Sequence, residues 1–328
     1  MNNKATKPLT KANIVYLDRG SLPAGVNLRS VKAPHQWHNH QTSAPEQIIE
    51  RCQTADILVV NKVPITEQIL NDCPSIKHIA VSATGFNIID IAACQKRNIS
   101  VSNIQNYALI TVPEHVLSLT LNLRREVIHH RQQVIDGEWQ KSSGFCIIDK
   151  PIRDLHGATF GVVGLGGLGR ATAKLMHSIG MRVIYASRNE HTCDFAEKVL
   201  LKDLLVKADV VSLHCSLNND TKNLIDAAEL KTMQPHAILI NTARGGIVNE
   251  QAALRAILNK EIGGLGFDAL LEEPPTNDSP LLEIAHLSNV IITPHNAWGS
   301  VQALQTLADI LVDNIEAFIA GTPQNIVT

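Results

Sequence analysis

The segment Ala158-Thr-Phe-Gly-Val-Val-Gly-Leu-Gly-Gly-Leu-Gly-Arg170 constrains this chain more than any other. A short apolar strand, Thr159 to Val163, runs into Gly164, Gly166 and Gly169, a G-x-G-x-x-G pattern. Helical spacing follows at once, with Ala171, Leu175, Met176 and Ile179 on one face of Arg170 to Ile179. That order, strand then glycines then helix, is the context a dinucleotide-binding turn requires. Gly164 permits the tight turn, Gly166 lets a pyrophosphate approach the backbone, and Gly169 lets helix and strand pack closely. The helix start then offers N–H groups and the positive end of its dipole to phosphates.

The rest of the chain fits the same architecture. Early strands are expected at Ile14 to Asp18, Asp56 to Val60, Ile76 to Val81 and Ile99 to Ser102. Later ones follow the glycine loop, at Arg182 to Ala186, Val210 to His214, Ala237 to Asn241, Gly264 to Asp268 and Val290 to Thr293. These runs of Val, Ile, Leu and Ala do not alternate with polar residues, as expected of parallel strands covered on both faces. One long helix is expected over about Val112 to Asp136, opened by Thr111 with Pro113 in its first turn, and a last helix over Val301 to Ala320. At 328 residues, two α/β domains are expected: 1–105 with 299–328, and 106–298. Both are doubly wound parallel sheets, the second of Rossmann type.

A net charge of -2 argues against a nucleic-acid partner. No apolar run is long enough to span a bilayer, and the polar stretch Met1 to Lys11 has no signal core. The six cysteines form no C-x-x-C pair and no zinc spacing, so the expectation is a reduced, cytoplasmic chain without a metal.

Three further segments place polar residues just past a strand: Ile240-Asn-Thr-Ala-Arg-Gly-Gly246, Phe267-Asp-Ala-Leu-Leu-Glu-Glu-Pro274 and Ile292-Thr-Pro-His-Asn-Ala-Trp-Gly299. Ligands of open parallel sheets bind at that end. Taken singly, Arg244, Asp268, Glu273 and His295 read as surface or turn residues. On successive strands after a dinucleotide fingerprint they read as a constellation. An arginine anchors a carboxylate, a histidine moves a proton near neutral pH, and a carboxylate beside it favours the imidazolium. With a nicotinamide coenzyme, these parts suffice to reduce a 2-keto acid.

At the end of the second strand of this set stand Ser187-Arg188-Asn189, where NAD-selective sites usually carry Asp or Glu. An uncharged Ser187 followed by Arg188 favours NADPH over NADH.

In order and spacing the glycine loop, Thr242-Ala243-Arg244-Gly245, Asp268 to Pro274 and Thr293-Pro294-His295 resemble the D-isomer-specific 2-hydroxyacid dehydrogenases. The resemblance runs over nearly the full length. It implies that Arg244, Glu273 and His295 are catalytic, and that Asp268 contacts the nicotinamide side of the coenzyme. Gly167 and Leu168 match the pair over the pyrophosphate, and Cys215 and Ser216 a dipeptide near the adenosine, with Ser216 in place of the usual proline. Thr221, Thr242 and Ala243 are further coenzyme-binding candidates.

Ile14 to Gly20, Val60-Asn61-Lys62 and Ala80 to Asn87 look like the glycerate dehydrogenase, or hydroxypyruvate reductase, branch. There the backbone N–H groups of Ala83, Thr84 and Gly85 would bind the substrate carboxylate, with Trp298 near the pocket. The resemblance also implies a flavodoxin-like substrate domain built from both chain ends, and a homodimer with the helix after about residue 106 in its interface. Hydroxypyruvate and glyoxylate are the first substrates it suggests. Two other functions of the same fold remain open: oxidation of a different small anion such as phosphite, and a dinucleotide-sensing scaffold like the C-terminal-binding-protein corepressors.

Overall fold

The computed structural model describes residues 8–188 and 192–328. Asn189 of the coenzyme loop and the first seven residues lie outside the described residues. The chain forms two compact units, Met1–Tyr107 with Ser300–Thr328, and Ala108–Gly299.

The first unit holds strands β1 (Ala12–Tyr16), β2 (His35–Asn39), β3 (Ile57–Val60), β4 (His78–Val81) and β5 (Ser100–Ser102). They pair in parallel in the order β2-β1-β3-β4-β5, the flavodoxin-like order. β3 and β4 are buried at every residue, which explains why β3 is wholly apolar and β4 is apolar after His78. The helix Val301–Ile319 packs on β4. It is capped by Ser300, whose Oγ accepts the Ala303 N–H at 3.1 Å. Phe318 stacks on the buried His78 ring at 4.4 Å. Asn314, also buried, donates to the Asn103 carbonyl at 3.0 Å, and the chain end closes on β5 through Val327 N–H to Val101 O at 2.8 Å.

The second unit holds β6 (Thr159–Val163), β7 (Arg182–Ala186), β8 (Glu197–Lys198), β9 (Val210–Leu213), β10 (Ile238–Asn241), β11 (Gly264–Phe267) and β12 (Val290–Ile292). All pair in parallel, in the order β12-β11-β10-β9-β6-β7-β8. The order reverses between β6 and β9, so the crevice beyond their carboxyl ends is where a doubly wound sheet binds its ligand.

The structure departs from the sequence expectations at two kinds of place. The edge strands β2 and β8 carry polar, exposed sequences, and only their pairing with β1 and β7 makes them strands. The long helix after Thr111 is two helices, Thr111–Arg124 and Val127–Ile135, with Glu126 between them at φ 54°. Arg124 is buried, and its guanidinium turns inward to the Asp154 carbonyl at 2.6 Å and Asp209 at 3.4 Å. Thr111 is the first helical residue rather than the cap, and its hydroxyl donates to the Ala297 carbonyl at 3.2 Å.

Candidate active site

The glycine loop leaves β6 through Gly164 at φ 96°, in the left-handed region. A Cβ there would lie 2.8 Å from the Cys215 nitrogen, so the β6 and β9 loops touch at the switch point. Gly169 is tighter still, since a Cβ would sit 2.0 Å from the Gly164 oxygen. Gly166 differs from both. It caps the helix Gly167–Ser178, and nothing lies within 4 Å of where its Cβ would be. Beside this opening the first-turn N–H groups of Gly167, Leu168 and Gly169 have no acceptor within the helix. An open cradle lined by amide donors at a positive helix end suits a pyrophosphate.

Around the cradle the coenzyme candidates divide. Ser187 is half-buried and Arg188 exposed, its guanidinium 2.5 Å from Asp220. Burial pushes the Cys215 thiol up from its ordinary range. Ser216 is exposed, and its carbonyl accepts the Thr221 hydroxyl at 2.6 Å. That hydroxyl also accepts the Asn218 N–H at 2.8 Å, so Thr221 ties its own loop. Thr242 presents a buried hydroxyl with no protein partner. An orphaned polar atom of this kind calls for a ligand donor or acceptor.

The second group follows β10, β11 and β12. Asn241, buried at the end of β10, brackets the next turn: Nδ2 donates to the Arg244 carbonyl at 2.9 Å and Oδ1 accepts the Ala243 N–H at 3.1 Å. Arg244 itself is exposed, with Nη1 resting on the Ala243 carbonyl at 2.7 Å, so most of its donor fork stays available. A Cβ on Gly245 would fall 1.9 Å from the Leu270 oxygen, which shows how closely the Arg244 loop lies against the one carrying Glu273. Glu273 accepts the Leu270 N–H through Oε1 at 3.0 Å and meets His295 Nδ1 through Oε2 at 2.6 Å. Both side chains are about one-third exposed, so solvent reaches the pair. Neighbouring Glu250 accepts the Leu271 N–H at 2.6 Å; burial holds its carboxyl above the ordinary carboxylate range, and the charge of Glu273 adds to this.

Asp268 is 2% exposed, and its carboxylate is used on the turn beside His295. Oδ1 accepts the Thr293 hydroxyl at 2.5 Å and the Asn296 N–H at 2.9 Å, and Oδ2 accepts the Ala297 N–H at 2.9 Å. The Trp298 indole donates to the His295 carbonyl at 2.8 Å, and His295 adopts φ 51°. Within the second unit the structure therefore brings His295, Glu273, Asp268 and Trp298 together. Ala83, Thr84 and Gly85 lie in the first unit, past β4. Their loop is tied by Ile104 N–H to Ala83 O at 3.0 Å, Asn103 Nδ2 to Thr84 O at 2.7 Å and Thr84 Oγ1 to Ile104 O at 2.7 Å.

Sequence reasoning missed Asn241, Glu250 and His115, whose Nε2 lies 3.1 Å from Thr293 Oγ1. The one available signal was a polar Asn closing the apolar strand β10.

Comparison with known proteins agrees with this geometry. Residues 117–297 match the model of the D-isomer specific 2-hydroxyacid dehydrogenase NAD binding domain. Glycerate dehydrogenase of Methylorubrum extorquens is 46% identical over 96% of this chain and 98% of its own length. Hydroxypyruvate reductase of Blautia hydrogenotrophica is 34% identical over 86% of this chain and 88% of its own. Among solved structures, D-lactate dehydrogenase from Aquifex aeolicus, complexed with NAD and lactic acid, superimposes with a TM-score of 0.81 at 26% identity. That match covers 94% of this chain and 96% of the other.

Proposed function

The chain belongs to the D-isomer-specific 2-hydroxyacid dehydrogenase family, and from that membership we propose that it reduces hydroxypyruvate and glyoxylate to D-glycerate and glycolate. It is an oxidoreductase of the CH–OH group of hydroxy acids that uses a nicotinamide coenzyme. The observation that carries the reading is the His295–Glu273 pair, 2.6 Å apart, beyond the same end of the sheet as the Gly166 cradle. The glycerate dehydrogenase likeness over nearly the whole chain supports a hydroxy acid over phosphite or a sensing role.

The nicotinamide supplies the hydride when bound. Every other part of the chemistry falls to the residues of the chain. Gly166, Gly167, Leu168 and Gly169 hold the pyrophosphate, and the Thr242 hydroxyl takes a polar group of the coenzyme. Arg244 binds the substrate carboxylate through its planar fork. The substrate oxygen gains negative charge as it is reduced, and His295 delivers a proton to it from Nε2. Glu273, bonded to Nδ1, favours the charged imidazole before the transfer. Trp298 fixes the backbone at His295.

The unit Ala108–Gly299 is thus the coenzyme-binding domain and the other unit the substrate domain. NADPH is preferred, because Ser187 offers no carboxylate to repel a 2′-phosphate and Arg188 can bind one; the Asp220 pair tempers this preference. The working form is a homodimer. Ile110, Ile135, Trp139, Phe145 and Ile148 are all more than half exposed, an apolar set that a second copy would cover. No helix among the described residues is long and apolar enough to cross a membrane.

The test is turnover of hydroxypyruvate with each reduced coenzyme, followed by nicotinamide absorbance, beside the His295→Gln variant. Turnover lost in the variant supports the reading; no turnover of any small 2-keto acid by the native enzyme overturns it.

A further inference from the structure

A second histidine lies behind the His295 turn. His115 follows Thr111 by one helical turn, so both side chains lie on one face of the helix Thr111–Arg124. Both reach the segment that carries His295. Thr111 Oγ1 donates to the Ala297 carbonyl at 3.2 Å, and His115 Nε2 stands 3.1 Å from Thr293 Oγ1.

Proton positions in this group follow from the distances. Thr293 Oγ1 is 2.5 Å from Asp268 Oδ1, and a carboxylate only accepts, so the hydroxyl proton lies between them. The hydroxyl has no second proton. Toward His115 it therefore accepts, and Nε2 must carry a hydrogen. Burial favours the neutral ring while Asp268, 3.8 Å away, works in the opposite direction. Asp268 in turn accepts the N–H groups of Asn296 and Ala297, on the far side of His295. The chain His115, Thr293, Asp268 thus grips both flanks of a histidine held at φ 51°, a backbone conformation disfavoured for any residue but glycine.

We propose that His115 is a positioning residue for the reduction: as the Nε2–H tautomer it donates to Thr293 and, through Thr293 and Asp268, fixes the turn that aims His295. This rests on the reading of His295 as the proton donor.

The experiment measures kcat and KM for hydroxypyruvate, and coenzyme Kd by fluorescence, in His115→Leu, His115→Gln, Thr293→Val and the Leu/Val double variant. Loss of one hydrogen bond should lower kcat about tenfold in His115→Leu, with coenzyme Kd changed by less than about twofold. Gln can place an amide near the position of Nε2, so His115→Gln should recover most of kcat. Thr293→Val should match His115→Leu, and the double variant should lose no more than the worse single, since both cut one chain.

Native kcat in His115→Leu, a loss that Gln does not restore, or multiplying losses in the double variant overturns the proposal. Should His115→Leu fail to fold, His115→Gln is set against His115→Asn, whose amide falls near Nδ1; equal activities overturn it, and an active Gln beside an impaired Asn supports it. His295→Gln is measured alongside. If it is inactive while His115→Leu is native, only this proposal fails; if it remains active, the reading of His295 itself fails.

Discussion

Glu273 holds His295 by its Nδ1, 2.6 Å from Oε2, while its other oxygen is fixed by the Leu270 N–H at 3.0 Å. One ring nitrogen is therefore committed to the protein, and in the reaction proposed above the other, Nε2, serves the substrate. His295→Gln keeps a donor but cannot transfer a proton, and turnover should fall roughly 10²- to 10⁴-fold. Glu273→Gln should retain measurable activity, because the amide oxygen still meets Nδ1 while the charge is lost. The double variant should be far less impaired than the two losses multiplied, as both act on one proton. The check is kcat/KM for wild type, the two single variants and the double; an unchanged value in Glu273→Gln would remove Glu273 from the proton transfer.

Arg244→Ala should impair both substrate affinity and turnover. Arg244→Lys should rescue little, since an ammonium cannot reproduce a planar bidentate fork. Steady-state kinetics with hydroxypyruvate decide this, and an unchanged kcat/KM in Arg244→Ala would exclude it from the site.

Coenzyme choice should respond to two residues on different loops. Ser187→Asp should swing preference to NADH by placing a carboxylate against the 2′-phosphate. Asp220→Asn should do the reverse, releasing Arg188 from its 2.5 Å ion pair and tightening NADPH with little effect on NADH. Wild-type preference for NADH by tenfold or more, about 1.4 kcal/mol, would contradict the role given to this loop.

Two glycines of one motif should behave differently. Gly169→Ala drives a methyl into the Gly164 carbonyl and should lower the thermal midpoint sharply. Gly166→Ala meets open space, so the midpoint should hold while coenzyme affinity drops. A Gly166→Ala enzyme that binds coenzyme as well as wild type would mean the pyrophosphate lies elsewhere.

Acid should weaken the fold through two histidines, the buried His78 and the half-buried His214. Burial pulls His78 down to about 3 and His214 down to about 4. Unfolded histidine titrates near about 6.5. Between these values the unfolded chain takes up a proton that the folded chain refuses, so stability is full above about pH 6.5 and lost as pH falls. At pH 5 His78 should account for about 2 kcal/mol. In His78→Gln the difference between urea midpoints at pH 7 and pH 5 should shrink accordingly, and an unchanged difference would show that His78 is not responsible.

Much of the architecture is legible in residue order. β3, β4, β9, β10 and β11 are buried, mostly apolar runs without polar alternation, as strands covered on both faces are, and the glycine turn marks itself by its context. β2 is not legible, because the sequence His35-Gln-Trp-His-Asn39 becomes a strand only by pairing with β1. The break at Glu126 is equally hidden, since it follows from Arg124 turning toward Asp154 and Asp209, distant in sequence. In the site, Arg244, Glu273 and His295 stand out by spacing from a recognisable motif. Asn241 shows only as a polar residue closing an apolar strand, and His115 meets its partner Thr293 from a distant helix, so nothing local announces it. Asp268 was legible as a site residue, but the grip it exerts on Asn296 and Ala297 appears only when the turn is seen in space.

The return of Val301–Ile319 to β4 carries a consequence for synthesis. A ribosome releases the strands β1 to β5 early, yet the helix that covers β4, and the Asn314 that grips Asn103, emerge only after the whole intervening unit. The contiguous unit Ala108–Gly299 is complete before them. The nascent chain should therefore finish its second sheet first, and hold the first one half-covered until Ser300–Thr328 arrives.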